Sequence, residues 1–161
     1  MARVITLMAV LSLGVLSGCS DESKMKSVCT DILHGVAIDP SSVKINKIDV
    51  SEGRLSHSEA LDRYSLAADG KVGDSRKRYL SSLYEDGEGV SEFFTEIDYT
   101  ASARSGIQRS SVLCSFIKPA SSTPFLLSVT VNNKDIQGFA LSMMLSGSKR
   151  PSGLGVDMKL N

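Results

Sequence analysis

Apolar residues recur at helical spacing soon after residue 24. They follow the order i, i+3, i+4, i+7, i+8 and i+11, which is one face of an amphipathic helix. Ser23 stands where an N-cap is expected, and Asp39-Pro40 marks the end of the helix because proline disfavours the α conformation of the residue before it. The predicted apolar face of this N-terminal helix consists of Met25, Val28, Cys29, Ile32, Leu33 and Val36.

Four later segments alternate between apolar and polar residues, which predicts strands with one buried face. In the first of them the alternation changes phase at Asn46 and Lys47, and this change indicates a bulge. Short turns join the other three, so we expect them to pair as an antiparallel meander. The four segments are residues 43–50, 93–101, 110–116 and 125–131, and a short final strand is predicted at Val156, Met158 and Leu160.

The stretch between the first two strands, residues 51–91, has a helical pattern instead. Ser56 and Glu59 have the spacing of a capping box, which predicts a helix that continues to Ala68. Asp74 is expected to cap a second helix. Its inward-facing residues are predicted to be Tyr79, Leu80, Leu83 and Tyr84. We interpret the stretch as a helical or loop excursion inserted between strands.

Residues 135–145 fit two structures. A helix capped by Asp135 would place Phe139 and Met143 on one face, and the Ala, Leu and Met content favours it slightly. A strand that follows a hairpin at Asn132-Asn133 would also place Phe139 and Met143 on one face. Both interpretations stay open from the sequence.

The first nineteen residues have a separate pattern. Arg3 precedes an apolar run, residues 4–15, that is too short to span a bilayer and is typical of a secretory signal peptide. The sequence Leu-Ser-Gly-Cys at residues 16–19 then resembles a bacterial lipobox. This resemblance implies cleavage before Cys19, a diacylglycerol on the Cys19 sulfur and, usually, acylation of the new amino terminus. The alternatives are a plain signal peptide with an accidental cysteine and a small membrane helix.

The lipobox resemblance sets the expected domain organisation and location. It implies a signal peptide at residues 1–18 and a lipidated Cys19. The polar residues that follow predict a lipidated tether at 19–24, and the length and periodicity of the rest predict a single α+β domain at 25–161. Several acyl chains hold a protein stably on a membrane, whereas one does so only marginally. Asp directly after the lipidated cysteine is the familiar inner-membrane retention signal in enteric-type bacteria, and Ser20 stands there instead. By that resemblance we expect the outer membrane, with the domain facing the periplasm.

An exported domain lies in an oxidising compartment, where two remaining cysteines form a disulfide by default. The pair is Cys29 and Cys114, and the crosslink would close a loop of about 85 residues, worth at most roughly 4–5 kcal/mol. The alternative is a metal site made of these two thiols and His34. We therefore predict an α+β fold in which the N-terminal helix is packed on an antiparallel sheet meander and linked to it by the disulfide.

Composition narrows the function classes. Removing eighteen of the 161 residues leaves 143, which fits one domain, and the mature chain has 17 basic against 18 acidic residues because Arg3 is lost. A neutral domain has no general attraction to nucleic acid, so that class is excluded. No metal or cofactor is predicted, because the acidic residues Glu85, Asp86, Glu88 and Glu92 lack the spacing of a dedicated calcium loop.

Candidate catalytic groups are few. Ser56, His57 and Ser58 put a base beside hydroxyls, but sequence neighbours rarely reach each other as a triad requires, and a polar helix start is the simpler interpretation. Asp31 and His34 are i, i+3 neighbours and are interpreted as surface electrostatics. We expect a protein that is not an enzyme.

Three consecutive cations, Arg76, Lys77 and Arg78, fall in the first turn of the second predicted helix, where positive charge opposes the macrodipole. One interpretation is contact with an anionic lipid surface, to which each cation contributes about 1 kcal/mol. The other interpretation is a solvated cluster whose positive charge is balanced by the acidic residues within 85–88.

A second, weaker resemblance covers about half of the domain. A Cys-bearing helix, the Asp-Pro-Ser-Ser turn at residues 39–42 and a later strand carrying Cys114 look like small uncharacterised bacterial envelope proteins, and this resemblance implies no function. The sequence therefore predicts a lipid-anchored envelope protein that acts as a non-enzymatic binding or accessory module with a protein partner. The alternative is an inhibitor, immunity or exclusion lipoprotein, and a small hydrolase is less favoured.

Overall fold

The computed structural model describes residues 20–68, 70–120 and 122–147, and these residues form an α+β fold. Five strands make one antiparallel sheet in chain order, so the predicted meander is confirmed. The predicted excursion is also confirmed, because two helices lie between the first and second strands. The elements are α1 (Asp21–Val36), a 3-10 turn (Pro40–Ser42), β1 (Lys44–Leu55), α2 (His57–Ala67), α3 (Asp74–Glu85), β2 (Val90–Ala103), β3 (Gly106–Pro119), β4 (Phe125–Val131), β5 (Lys134–Gln137) and α4 (Gly138–Gly147). The predicted signal peptide, Cys19 and the predicted strand at 156–160 lie outside the described residues.

Helix α1 begins three residues earlier than predicted. Its N-cap is Ser20, whose hydroxyl accepts a hydrogen bond from the Ser23 amide at 3.3 Å, so the predicted cap at Ser23 was wrong. Asp21 and Glu22 occupy the first turn, where negative charge interacts favourably with the helix dipole. Residues 21–24, which the sequence pattern assigned to a flexible tether, are therefore the first turn of a helix.

The apolar face of α1 covers one face of the sheet, which we call the disulfide face. The predicted crosslink is present: the Cys29 and Cys114 sulfurs are bonded at 2.03 Å with a Cα separation of 5.9 Å. This bond excludes the alternative metal site, since both thiols are consumed and His34 lies exposed. Helix α4 packs on the same face through Leu141 and Leu145. The fully buried residues of this core include Leu33, Cys29, Ile97, Val112, Cys114 and Val129.

Helices α2 and α3 pack against the other face of the sheet, which we call the second face. The capping box at Ser56 and Glu59 forms as predicted. Helix α3 starts at Asp74 itself after Gly73, whose lack of a side chain leaves the helix without a side-chain cap, so the predicted Asp74 cap was wrong. Tyr79 is 44% exposed rather than buried, because it lies off the stripe that Leu80 and Leu83 form. This second core contains Leu55, Ala60, Tyr64, Leu80, Leu83, Val90, Ile117 and Leu127.

Two irregular positions in the sheet follow the sequence signals. The register shifts between Ile45 and Lys47, which confirms the predicted bulge. Asn132 and Asn133 have φ angles of 51° and 59°, a conformation that asparagine tolerates, and they join β4 to β5 in a tight hairpin. The helix interpretation of residues 135–145 is confirmed from Gly138 onward, although Asp135 does not cap the helix, and the strand interpretation was wrong for Phe139 and Met143 because the strand after the Asn132-Asn133 hairpin ends at Gln137.

The sheet has two ends that differ in what surrounds them. At the near end, the Lys118 ammonium donates to Asp21 at 2.6 Å, which places the start of α1 beside the end of β3. At the far end, Arg104 and Ser105 form the turn between β2 and β3. Fourteen residues of β2 separate the two ends, a length of about 45 Å. None of the described helices is long and apolar enough to cross a bilayer.

Candidate binding surface

Among the described residues, helices cover the second face of the sheet only at its near end. Farther along, one residue from each strand forms a row of cross-strand neighbours that α2 and α3 do not bury. Leu113 at the centre of this row is half-buried, and the acidic residues are exposed. We call this surface the open half of the second face. Its central row, from β1 to β5, is Asp49, Glu96, Leu113, Thr130 and Asp135.

Paired charges border this row on the side of the far end. The Arg109 guanidinium donates to both oxygens of Asp98, at 2.9 Å from Nε to Oδ1, and these bonds hold the pKa of Asp98 below its usual range. Lys47 lies 2.8 Å from Asp49. Exposed pairs of this kind contribute little to stability. They make the open half a polar surface of mixed charge around a small apolar centre.

The β2–β3 hairpin extends past the strands on both of its sides. Lys44 at the start of β1 lies opposite Thr100, and Val131 at the end of β4 lies opposite Val112. Residues 101–111 therefore project beyond β1 and β4, and we call them the arm. On the β1 side the 3-10 turn supports the arm, since the Ser102 amide donates to the Ser42 hydroxyl at 2.8 Å. On the β4 side, residues 106–111 extend for about 20 Å.

A cleft of about 100 Å³ occupies the corner between the arm, the end of α1 and the end of β4. Tyr99, Gln108 and Ser110 form its floor on the disulfide face. Ile38, which follows α1, lines its rim and is 70% exposed. On the opposite face of the arm, Ile107 is 79% exposed. The far end thus carries two exposed isoleucines and a cleft, and no functional residue was predicted there from the sequence.

The predicted cationic cluster lies on the near half of the molecule. Arg76, Lys77 and Arg78 are all exposed, and they lie within the first five residues of α3. The Arg76 guanidinium lies 5.6 Å from the centre of the Tyr64 ring, and Lys77 approaches Asp74 at 3.8 Å. The acidic residues that were expected to balance the charge of this cluster begin at the other end of the same helix, about 10 Å from Arg78 along the helix axis.

The histidines do not form a recognisable nucleophile site. The His57 Nε2 atom lies 3.4 Å from the Ser81 hydroxyl, and its ring packs on Tyr84 with centroids 5.1 Å apart. The neighbouring Ser56 hydroxyl caps α2 and contacts Glu59, so it is engaged in helix capping. A triad requires a base held by a third group against a free nucleophile. The contacts of His57 in the described structure are those of a packed helix start.

One acidic side chain, Glu92, is buried in the structure, which its sequence grouping did not predict. The sequence grouped Glu92 with Glu85, Asp86 and Glu88 as acidic residues that lack calcium-loop spacing, but Glu92 lies in β2 and is 3% exposed. Its Oε1 atom accepts from the buried Ser115 hydroxyl at 2.8 Å, and its Oε2 atom accepts from Arg63 Nε at 3.1 Å. The signal for this burial was the alternation of the strand. Residues two apart in a strand lie on the same face, and Glu92 is two residues from both Val90 and Phe94. Among the described residues no three His, Cys, Asp or Glu side chains come together as metal ligands.

Comparison with known proteins adds no assignment: no family model, no curated protein and no solved structure matches this chain.

Proposed function

We propose that this chain is a lipid-anchored bacterial envelope protein that binds a protein partner through the open half of its second face and catalyses no reaction. The observation that carries the proposal is the half-sheet, Asp49 to Asp135, that no described helix covers and that lies farther along the sheet than the start of α1. Half-buried Leu113 supplies an apolar centre, and the surrounding charges supply specificity, which is the usual division at a non-obligate interface.

The anchor part of the proposal rests on the lipobox at residues 16–19. Because α1 begins at Asp21, two residues after Cys19, a lipidated Cys19 would hold the near end of the domain close to the membrane. The arm would then point away from the membrane into the periplasm with its tip about 45 Å from it, and the central row of the open half would lie about 20 Å from the near end.

The anchor is tested by labelling with radioactive palmitate. We expect wild type and Ser20→Ala to be labelled and to sediment with outer membranes in a density gradient. Cys19→Ser should remain uncleaved or become soluble, without label. Ser20→Asp should move the labelled protein to the inner membrane. Labelled, membrane-bound Cys19→Ser protein would exclude the anchor.

The binding surface is tested by capture of partners from envelope membranes after chemical crosslinking. Glu96→Lys reverses a charge in the central row and should reduce the yield of the captured partner. Glu52→Lys makes the same charge change on an exposed residue of β1 that faces the other way, and it is the matched control. Equal capture by both variants would show that the partner binds elsewhere.

An inhibitor or exclusion lipoprotein is the second candidate, and the arm is the observation that favours it. The arm is a short hairpin that the Ser42 contact supports, and it carries the exposed Ile107. This is the shape of a segment that enters a partner's cleft. In that case Ile107→Ser, rather than Glu96→Lys, should abolish partner capture. The proposed function would then be inhibition by the arm.

Contact of Arg76, Lys77 and Arg78 with anionic lipid is a further part of the proposal, supported by the packing of α3 at the near end of the sheet. The triple substitution of these residues by Gln should weaken binding of the Cys19→Ser protein to vesicles of anionic phospholipid, and more so at low salt. Neutral vesicles are the control. Unchanged binding to anionic vesicles would leave the solvated-cluster interpretation.

A further inference from the structure

The arm leaves an unpaired strand edge. In the described residues β3 pairs with β4 only from Val112 onward, so the other edge of Gly106–Ser111 has β2 as its sole strand neighbour. Asn132 lies beside the end of this segment, where the Ser110 hydroxyl contacts its side chain at 3.3 Å. The free edge therefore extends from Gly106 to Ser110, and its middle residue is Gln108. An exposed edge of this kind is a template for pairing with another strand.

We propose that this free edge pairs with the same edge of a second copy of the chain. Because β4 ends before the arm does, the arm has a free edge, and the space beside that edge has the same length as the arm. The arm of a second copy therefore fits into this space. When two copies approach head to head, each arm occupies the position in line with the partner's β4. The result is a two-fold symmetric dimer, in which the same surface patch serves on both copies.

The register of this pairing follows from symmetry and charge. In an antiparallel pair, two directly opposite residues have side chains on the same face of the sheet. A two-fold axis perpendicular to the sheet keeps each face on its own side, so the two opposite residues are both even-numbered or both odd-numbered. Their residue numbers therefore sum to an even number. A sum of 216 places Gln108 opposite Gln108 and Ile107 opposite Arg109. A sum of 218 would place Arg109 opposite Arg109, which is unfavourable, and would require Ser111, which Asn132 flanks. The centre of the free edge and the charges therefore select the same register, with Gln108 on the axis.

Two exposed features would be covered by this pairing. Ile107 would lie against the aliphatic part of the partner's Arg109, and the rim of the cleft at Ile38 would lie beside the partner's arm. Five residues from each copy form a small interface, of the size class typical of weak or transient complexes. Because the two-fold axis is perpendicular to the sheet, the second faces of both copies would lie on the same side of the dimer. The open halves of the two second faces would then form one continuous surface. The inference rests on the geometry of the arm and does not require the lipid anchor.

Site-specific disulfide trapping of the full chain in envelope membranes tests the register. Gln108→Cys places two thiols across the axis and should give a crosslinked species of twice the chain mass under mild oxidation. Arg109→Cys is the matched control one residue away, whose thiol would face the partner's Ile107, and it should crosslink about tenfold less. Wild type controls for crosslinking through Cys19. Equal or absent dimer formation with the two variants overturns the register, and a crosslinked species of any other mass shows that a different protein occupies the edge.

Charge reversal across the axis tests the pairing with a second readout. Two copies with different affinity tags should co-purify when both are wild type. Gln108→Lys in both copies, or Gln108→Glu in both, should reduce co-purification about fivefold, because like charges then face each other. A mixture of the Lys and Glu variants should restore it. Gln108 is exposed, so neither variant threatens folding, which circular dichroism checks. Undiminished co-purification of the Lys variant with itself, or failure of the mixture to recover, overturns the proposal.

Discussion

The two faces of the sheet are stabilised in different ways. The disulfide face is covered by α1 and α4, and a covalent bond joins its main helix to β3 at fully buried positions. The second face is covered by α2 and α3 only at the near end, without a crosslink, and includes a buried carboxylate. The difference suggests a division of roles, since a face that is half open and polar can bind a partner without exposing the main core.

The largest expected effect is on the disulfide face. Replacing both Cys29 and Cys114 by Ala should lower the free energy of unfolding by about 2–4 kcal/mol, because the unfolded chain loses its constraint. Secondary structure should remain, since the packing of α1 does not depend on the bond. Urea unfolding followed by circular dichroism measures both quantities. Two reactive thiols in the denatured, unreduced wild-type protein would show instead that the bond does not form.

A smaller effect is expected from the buried carboxylate of the second face. Glu92→Ala leaves the buried Ser115 hydroxyl without its acceptor and should cost about 1–3 kcal/mol. Glu96→Ala, four residues along the same strand in the open half, should change stability by no more than about 0.5 kcal/mol. Thermal unfolding of the two variants compares the covered and open halves directly. Similar losses would mean that the open half is covered in solution.

A stabilising substitution is expected inside the disulfide face. Thr95 is fully buried, and its hydroxyl has no hydrogen-bond partner in the described structure. Thr95→Val keeps the shape and removes the unsatisfied group, so we expect a gain of about 1 kcal/mol. Thr30→Val is the control, because the Thr30 hydroxyl donates to the Lys26 carbonyl at 2.8 Å and its loss should bring no gain. A loss of stability in Thr95→Val would indicate that the hydroxyl has a partner, such as a buried water.

The smallest effect concerns the ion pair that joins α1 to β3. The hydrogen bond from Lys118 lowers the pKa of Asp21 below its ordinary value of 3.8. A group whose pKa is lower in the folded state stabilises the protein above its unfolded pKa, and this contribution is lost as the pH falls through the folded value. Asp21→Asn should therefore cost a few tenths to about 1 kcal/mol at pH 7 and nothing at strongly acidic pH. Melting temperatures of both proteins between pH 7 and pH 2 should converge, and a difference that is constant with pH would contradict this.

The sequence predicted the elements well where the signal was local. The capping box at Ser56 and the phase change at Asn46 involve residues within one turn or one strand, and both features are present. The start of α1 was placed wrongly, because Ser20 and Ser23 are equally good caps by type. The acidic residues at 21 and 22 were the signal in favour of Ser20, since they complement the helix dipole.

By itself the sequence predicted the fold class, the meander of three consecutive strands and the one pairing that the two remaining cysteines allow. These properties follow from the periodicity of short segments, from the lengths of the turns that join them and from the number of cysteines, all of which can be read from the sequence. Only the tertiary structure decided that Glu92 is buried, that half of the second face stays open and that residues 101–111 form an arm. Each of these depends on where a neighbouring strand or helix ends, and alternation along one strand carries no information about the length of its neighbour.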